Sequence, residues 1–134
     1  MMKIGVGYVR VSTSAQASEG VSLDAQRGKI TAWCVANECR LAHVHVDAGL
    51  SGGRADNRPA LQAALAEVAA ARGVLVVYSL SRLARSIRDT LVIAERLAKA
   101  EADLVSLSER IDTTSAAGRM LFRLLAVLAE FERD

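Results

Sequence analysis

KIGVGYVRVSTSAQ, residues 3–16, opens with apolar and β-branched residues that read as a buried β-strand and closes on a cation followed by hydroxyls. Alternate residues of a strand share a face, so Arg10 and Ser12 are expected to point the same way. A guanidinium beside an alcohol suggests an anion site. Three further runs have the same character: LAHVHVD (41–47), GVLVVYS (73–79) and ADLVSLS (102–108). The segments between them are helix-like, and that alternation predicts an α/β domain, a mostly parallel sheet with flanking crossover helices. The longer loops, SAQASEG (14–20) and AGLSGGRADNR (48–58), follow strand ends. Open parallel sheets bind ligands at that carboxyl edge.

The helices carry their own signals. Ser22 suits the N-cap of DAQRGKITAWCVAN, Asp24 in the first turn favours the dipole, and Ile30 and Cys34 mark an apolar stripe. Pro59 opens the next helix, where Leu61, Leu65 and Val68 recur at helical spacing, and Ile87, Leu91, Ala94 and Leu97 do so in a third. The last segment, AAGRMLFRLLAVLAEFERD, behaves differently. Met120, Leu121, Leu124, Leu125, Val127, Leu128 and Phe131 spread over about 160°, against the ~100° that a sheet-docked helix needs, so part of the arc is expected to meet another subunit. The pattern reaches Asp134 without a Gly or Pro stop, and the helix starting near residue 115 is expected to continue into further protein.

A chain of 134 residues with 51% hydrophobic residues is expected to form one domain, 1–134, around one core. Seventeen Lys+Arg against 15 Asp+Glu leave a formal charge of +2, which excludes a protein that coats nucleic acid by charge alone. Cys34 and Cys39 lack zinc-site spacing and make no disulfide framework; they read as buried thiols of a reducing cytoplasm. No apolar run reaches the ~18 residues of a membrane span, and no signal-peptide apolar segment stands at the start, so a soluble cytoplasmic protein is expected.

Arginines leave the carboxyl ends of three successive strands: Arg10 beside Ser12, then Arg54 and Arg58, then Arg82 and Arg85 in SLSRLARS. Guanidiniums are planar, permanently charged and bidentate toward phosphate oxygens, so several around one point would clamp a phosphodiester and its more highly charged transition state. A serine among them could attack phosphorus and hold it covalently.

YVRVST, SLDAQ, DAGLSG with NRPAL, SRLARS and EFER, in that order, resemble the catalytic domain of the serine recombinases, the resolvase, invertase and integrase family. The resemblance implies site-specific DNA recombination with Ser12 as nucleophile, forming a 5′-phosphoserine link and releasing a 3′ hydroxyl. It implies that Arg10, Arg58, Arg82 and Arg85 bind the scissile phosphate, that Tyr8, Gln16 and Gln26 support the site, and that Asp47 lies beside it. Glu132 and Arg133 match the acidic and basic pair of the family's long helix, which builds the homodimer and the tetramer at synapsis. That helix would lead to a DNA-binding region absent from this sequence. Double-stranded DNA is the implied partner, with no cofactor, metal, small-molecule substrate or membrane. The family often has an acidic residue before the first arginine of SRLAR, where this chain has Ser81. Asp47 or an arginine would then have to protonate the leaving oxygen.

Plainer readings exist for each residue. Arg10 could pair with Asp47 at a strand end, Arg82 and Arg85 could share a solvated helix face with Asp89, and Glu132 and Arg133 could be surface residues. His43 and His45 share a strand face, which permits joint metal ligation, yet no third ligand is fixed nearby by sequence, and no metal is expected. Trp33 and Phe131 read as packing residues, and GVGYVR is too incomplete for a dinucleotide fingerprint. Clustered carboxylates for a magnesium nuclease are missing, and strand ends RVST and YSLS do not suit a phosphoacceptor receiver. The surviving alternative to an active recombinase is a degraded relative that only dimerises.

Overall fold

A computed structural model describes residues 2–11, 22–48, 58–84 and 86–133, with backbone only at 125, 126, 129, 130, 132 and 133. In chain order the elements are β1 (Lys3–Val11), α1 (Leu23–Ala36), β2 (Cys39–Ala48), α2 (Pro59–Ala71), β3 (Val74–Val77), α3 (Leu80–Leu83), α4 (Ile87–Lys99), β4 (Asp103–Ser106), β5 (Ile111–Asp112) and α5 (Ala116–Arg133). One sheet has the order β2-β1-β3-β4-β5. Its first four strands run parallel, and β5 turns back antiparallel to β4. The sheet is therefore the mostly parallel one that the alternating runs predict. Strand β5 was not legible in the sequence, because two residues hold no period to read.

Strand β1 is buried on both faces, as a central parallel strand must be. Val6 and Tyr8 pack with Leu61, Leu65 and Val68 of α2, Leu97 of α4 and Phe122 of α5. Val9 and Val11 face Ile30 and Cys34 of α1 on the other side. Each fully buried Leu, Ile or Val is worth about 1.5–3 kcal/mol against exposure, so these two layers hold the carboxyl end of β1 rigid. Gly5 lets the layer close: a Cβ there would stand 2.8 Å from Cys39 Sγ and 3.1 Å from Cys34 Sγ. Both cysteines are buried free thiols.

The two helix starts read from the sequence are in place, and a third cap joins them. Ser22 Oγ accepts from Ala25 N at 3.1 Å, Pro59 occupies the first turn of α2, and Ser86 Oγ accepts from Asp89 N at 3.1 Å. Helix α4 keeps the expected stripe in part: Leu97 is buried and Leu91 and Ala94 pack partly buried against the core, while Thr90 and Ile93, not named from the sequence, are buried beside them. Thr90 can turn inward because its hydroxyl donates to the carbonyl of Ser86 at 3.1 Å.

Helix α5 buries Phe122 but leaves Met120, Leu121, Leu124, Val127, Leu128 and Phe131 exposed. Phe131 is 73% exposed, so its packing role is not met within this chain, whereas Trp33 does pack under the α1 layer. Among the described residues, no helix is long and apolar enough to cross a membrane.

Candidate active site at the carboxyl edge of the sheet

Strand order reverses between β1 and β3, since β2 lies on one side of β1 and β3 and β4 on the other. Crossover connections diverge at such a point and leave a crevice at the carboxyl ends of the strands. Arg10, at the end of β1, lies there with its side chain reaching the segment after β3. Its Nε donates to the carbonyl of Arg82 at 3.4 Å and its Nη2 to the carbonyl of Ser81. Arg82 returns the contact, Nη1 donating to the carbonyl of Arg10 at 3.4 Å. Gln26, buried in the first turns of α1, donates from Nε2 to that same carbonyl at 3.4 Å.

Arg82 is only 7% exposed, so it is no member of a solvated helix face. A buried cation must be hydrogen-bonded to be tolerated, and the carbonyl of Arg10 serves that need. Its mount is the single turn of α3, which ends where Ala84 is extended at φ −151° and ψ 162°. Glu109, in the turn between β4 and β5, accepts from Leu80 N through both carboxylate oxygens at 3.3 and 3.2 Å and also accepts from the Ser106 hydroxyl. The carboxylate thereby satisfies an N–H at the start of the turn that presents Arg82. Sequence reasoning missed Glu109, and no spacing in the chain points to it. It missed as well the contact between the hydroxyls of Ser79 and Ser81, 3.0 Å apart.

Asp47 ends β2 in register with Arg10. Its buried carboxylate accepts from the Tyr8 hydroxyl at 2.8 Å and from the backbone N–H groups of Ala60 and Leu61 at 3.0 and 3.1 Å. These bonds tie the first turn of α2, where a negative charge is favoured, to the sheet. They make Asp47 an acceptor for three donors, a poor arrangement for giving a proton to a leaving oxygen. Arg58, directly before Pro59, is the N-cap residue that this tie positions. Burial pushes the Tyr8 hydroxyl pKa up, and the bond to Asp47 and its charge add to this, while the charges of Arg58 and Arg10 act the other way. Both cations are thus near enough to be felt at one hydroxyl. Arg58 also lines a groove of about 310 Å³ with Leu61, Leu65, Asp89, Ile93 and Arg96.

The fold thus gathers Tyr8, Arg10, Gln26, Asp47, Arg58 and Arg82 from β1, β2, α1, α2 and α3 at one edge. Ser12, Gln16, Arg54 and Arg85 lie outside the described residues, and Glu132 and Arg133 are described as backbone in the last turn of α5. Guanidiniums oriented by carbonyl bonds suit a phosphate or another oxyanion. A separate cavity of about 530 Å³ between α4, β4 and α5 is lined by none of these residues.

Residues 5–134 match the family described as "Resolvase, N terminal domain". The chain belongs to the resolvase family. Among resolvase-family proteins, it is 36% identical over 129 residues to the DNA-invertase hin of Salmonella typhimurium and 35% identical to the serine recombinase gin of Escherichia phage Mu. Each alignment covers 96% of this chain and 60% of the relative, so the chain spans about three fifths of the length of these proteins. The N-terminal catalytic domain of TP901-1 integrase superposes with a TM-score of 0.83 at 37% identity, covering 98% of this chain and 97% of that one. A resolvase family site-specific recombinase from Streptococcus pneumoniae follows at 0.77 and 29%, covering 98% of this chain and 89% of that one. The arginine-rich edge described above thus lies on a resolvase-family scaffold.

Proposed function

We propose that this chain is the catalytic domain of a serine-type site-specific DNA recombinase, which cuts and rejoins double-stranded DNA through a 5′-phosphoserine at Ser12. The observation that supports this reading most is the reciprocal lock of Arg10 and Arg82 at the switch point, with Ser12 two residues beyond Arg10 on the sequence. In cleavage, Ser12 Oγ attacks the scissile phosphorus, the Oγ–P bond forms and the P–O3′ bond breaks; serine loses its proton and the departing oxygen gains one. Rejoining reverses these events on a new 3′ hydroxyl. The bond energy is conserved in the ester, so the cycle asks for no nucleotide. Arg10, Arg58, Arg82 and Arg85 hold the phosphate and its growing charge, the main contribution a protein makes to such a transfer. Tyr8, Gln16 and Gln26 order the site. With Ser81 in place of a carboxylic acid and Asp47 engaged by three donors, an arginine is the group left to protonate the leaving oxygen.

The domain takes in residues 1–134, and α5, with Glu132 and Arg133 near its end, serves the homodimer and the synaptic tetramer on its way to a DNA-binding region. The exposed apolar side of α5 supports that assignment. The test is a suicide DNA substrate offered to a recombinase that contains this domain. The protein is expected to become covalently attached, and Ser12→Ala to leave the DNA unattached. Equal trapping by both would remove Ser12 from the mechanism, and no trapping by either would favour a domain that only dimerises.

A further inference from the structure

His43 and His45 face the same side of β2, the edge strand of the sheet, and the fold brings Glu67 of α2 against both of them. His43 Nδ1 lies 2.6 Å from Glu67 Oε2, and His45 Nε2 lies 2.7 Å from Glu67 Oε1. One ligand atom from each residue falls within 4.8 Å of the others. The imidazole rings are tilted at 58° with centroids 5.9 Å apart, so they converge on the carboxylate without stacking on each other. Sequence alone supplies the His-x-His half of this cluster; the third ligand comes from a helix more than twenty residues on.

We propose that His43, His45 and Glu67 bind one divalent transition-metal ion, of the zinc or nickel class, which clips the edge strand β2 to helix α2. Two imidazoles and one carboxylate make a well-known type of zinc ligand set, with solvent as the fourth ligand. Imidazole selects for such ions over magnesium or calcium. Ligands of a tetrahedral ion about 2.0–2.1 Å from each stand about 3.3 Å apart, so each imidazole nitrogen must draw back by roughly 0.6 Å from the carboxylate oxygen it meets. The exposed position of His43 and the half-buried positions of His45 and Glu67 allow this with side-chain motion alone. His43, His45 and Asp47 alternate along one face of β2, so the ion would add a second tie to the helix whose first turn Asp47 already anchors. This inference is independent of the proposed recombinase chemistry.

The experiment is calorimetric titration of the tag-free, EDTA-stripped 134-residue chain with zinc chloride, paired with thermal unfolding with and without zinc. Expected are one ion per chain and a raised midpoint. His43→Ala, His45→Ala and Glu67→Gln should each weaken binding by more than about 100-fold, beyond the loss typical of outer-sphere changes. Circular dichroism would check that the variants fold, and the exposed His43 variant gives the safest reading. Cobalt(II) in place of zinc should give visible bands without thiolate charge transfer. Failure of the wild-type chain to take up an ion, uptake indifferent to all three substitutions, or uptake abolished by Cys34→Ala with Cys39→Ala would each overturn the proposal.

Discussion

Arg10 offers a planar fork whose direction is set by the carbonyls of Ser81 and Arg82. A lysine keeps the charge and loses the fork, so Arg10→Lys should lower covalent trapping of DNA by about 100-fold or more, the usual loss when a transition-state donor is removed. Its urea midpoint should barely move, because the substitution leaves untouched the buried layers around Val9 and Val11 that hold this end of β1. Asp47 is the opposite kind of residue. Removing its carboxylate leaves the Tyr8 hydroxyl and two N–H groups without their acceptor, and Asp47→Ala should cost about 3 kcal/mol in urea unfolding. Tyr8 and Cys34 make stability depend on alkaline pH. Burial raises the Tyr8 pKa above its ordinary 10.0, and burial with the neighbouring Cys39 pushes the Cys34 thiol from 9.0 up to about 12. Above those ordinary values the unfolded chain gives up protons that the folded chain keeps, so stability falls as pH rises. The contribution of Cys34 is complete below about pH 9 and fades toward 12, and that of Tyr8 begins to fade near 10. Urea midpoints measured between about pH 8 and 12 should fall, and Tyr8→Phe should flatten the part above 10. At this scale the sequence exposed Arg10 at the end of a buried strand, since a period of two is local. It did not show that Asp47 serves Tyr8 and α2 instead of Arg10, because that choice depends on where the α2 N-terminus docks.

Among the elements, helix starts were the most legible feature. Ser22 and Pro59 act within a few residues of where they stand, so their chemistry is written in the chain. Helix α5 adds a constraint that composition does not announce. Ser115 Oγ accepts from Gly118 N at 3.0 Å, and a Cβ on Gly118 would fall 1.8 Å from the carbonyl oxygen of Asp112. Gly118→Ala must therefore displace the start of α5 from β5, and a loss of about 1–3 kcal/mol in urea unfolding is expected, the range for overpacked sites. An alanine elsewhere in a helix would stabilise it. The inward turn of Thr90 in α4 and the hold of Glu109 on α3 escaped sequence reading for a common reason. Each is decided by a neighbour remote in sequence, and helical spacing alone leaves the phase of a mixed polar face open.

At the scale of the molecule, the apolar face of α5 is what the fold leaves uncovered. Met120, Leu124, Val127, Leu128 and Phe131 are all exposed on one helix, an unusual burden for a monomer. Self-association through this face is expected in sedimentation equilibrium, and Leu128→Asp with Phe131→Asp should return the chain to a monomer while its circular dichroism is unchanged. The sequence by itself determined the alternation of strands and helices, the starts of α1 and α2, the faces of β1 and the carboxyl-edge location of Arg10, Arg58 and Arg82. All of these follow from short periods and end signals that a chain carries locally. Only the tertiary structure decided that β1 lies between β2 and β3, so that Arg10 and Arg82 lock across the switch point. It alone decided that Glu109 steadies α3 and that Glu67 meets the two histidines. Those outcomes come from which long-range burial is most favourable, and strand order and helix docking have no local period by which they could be read.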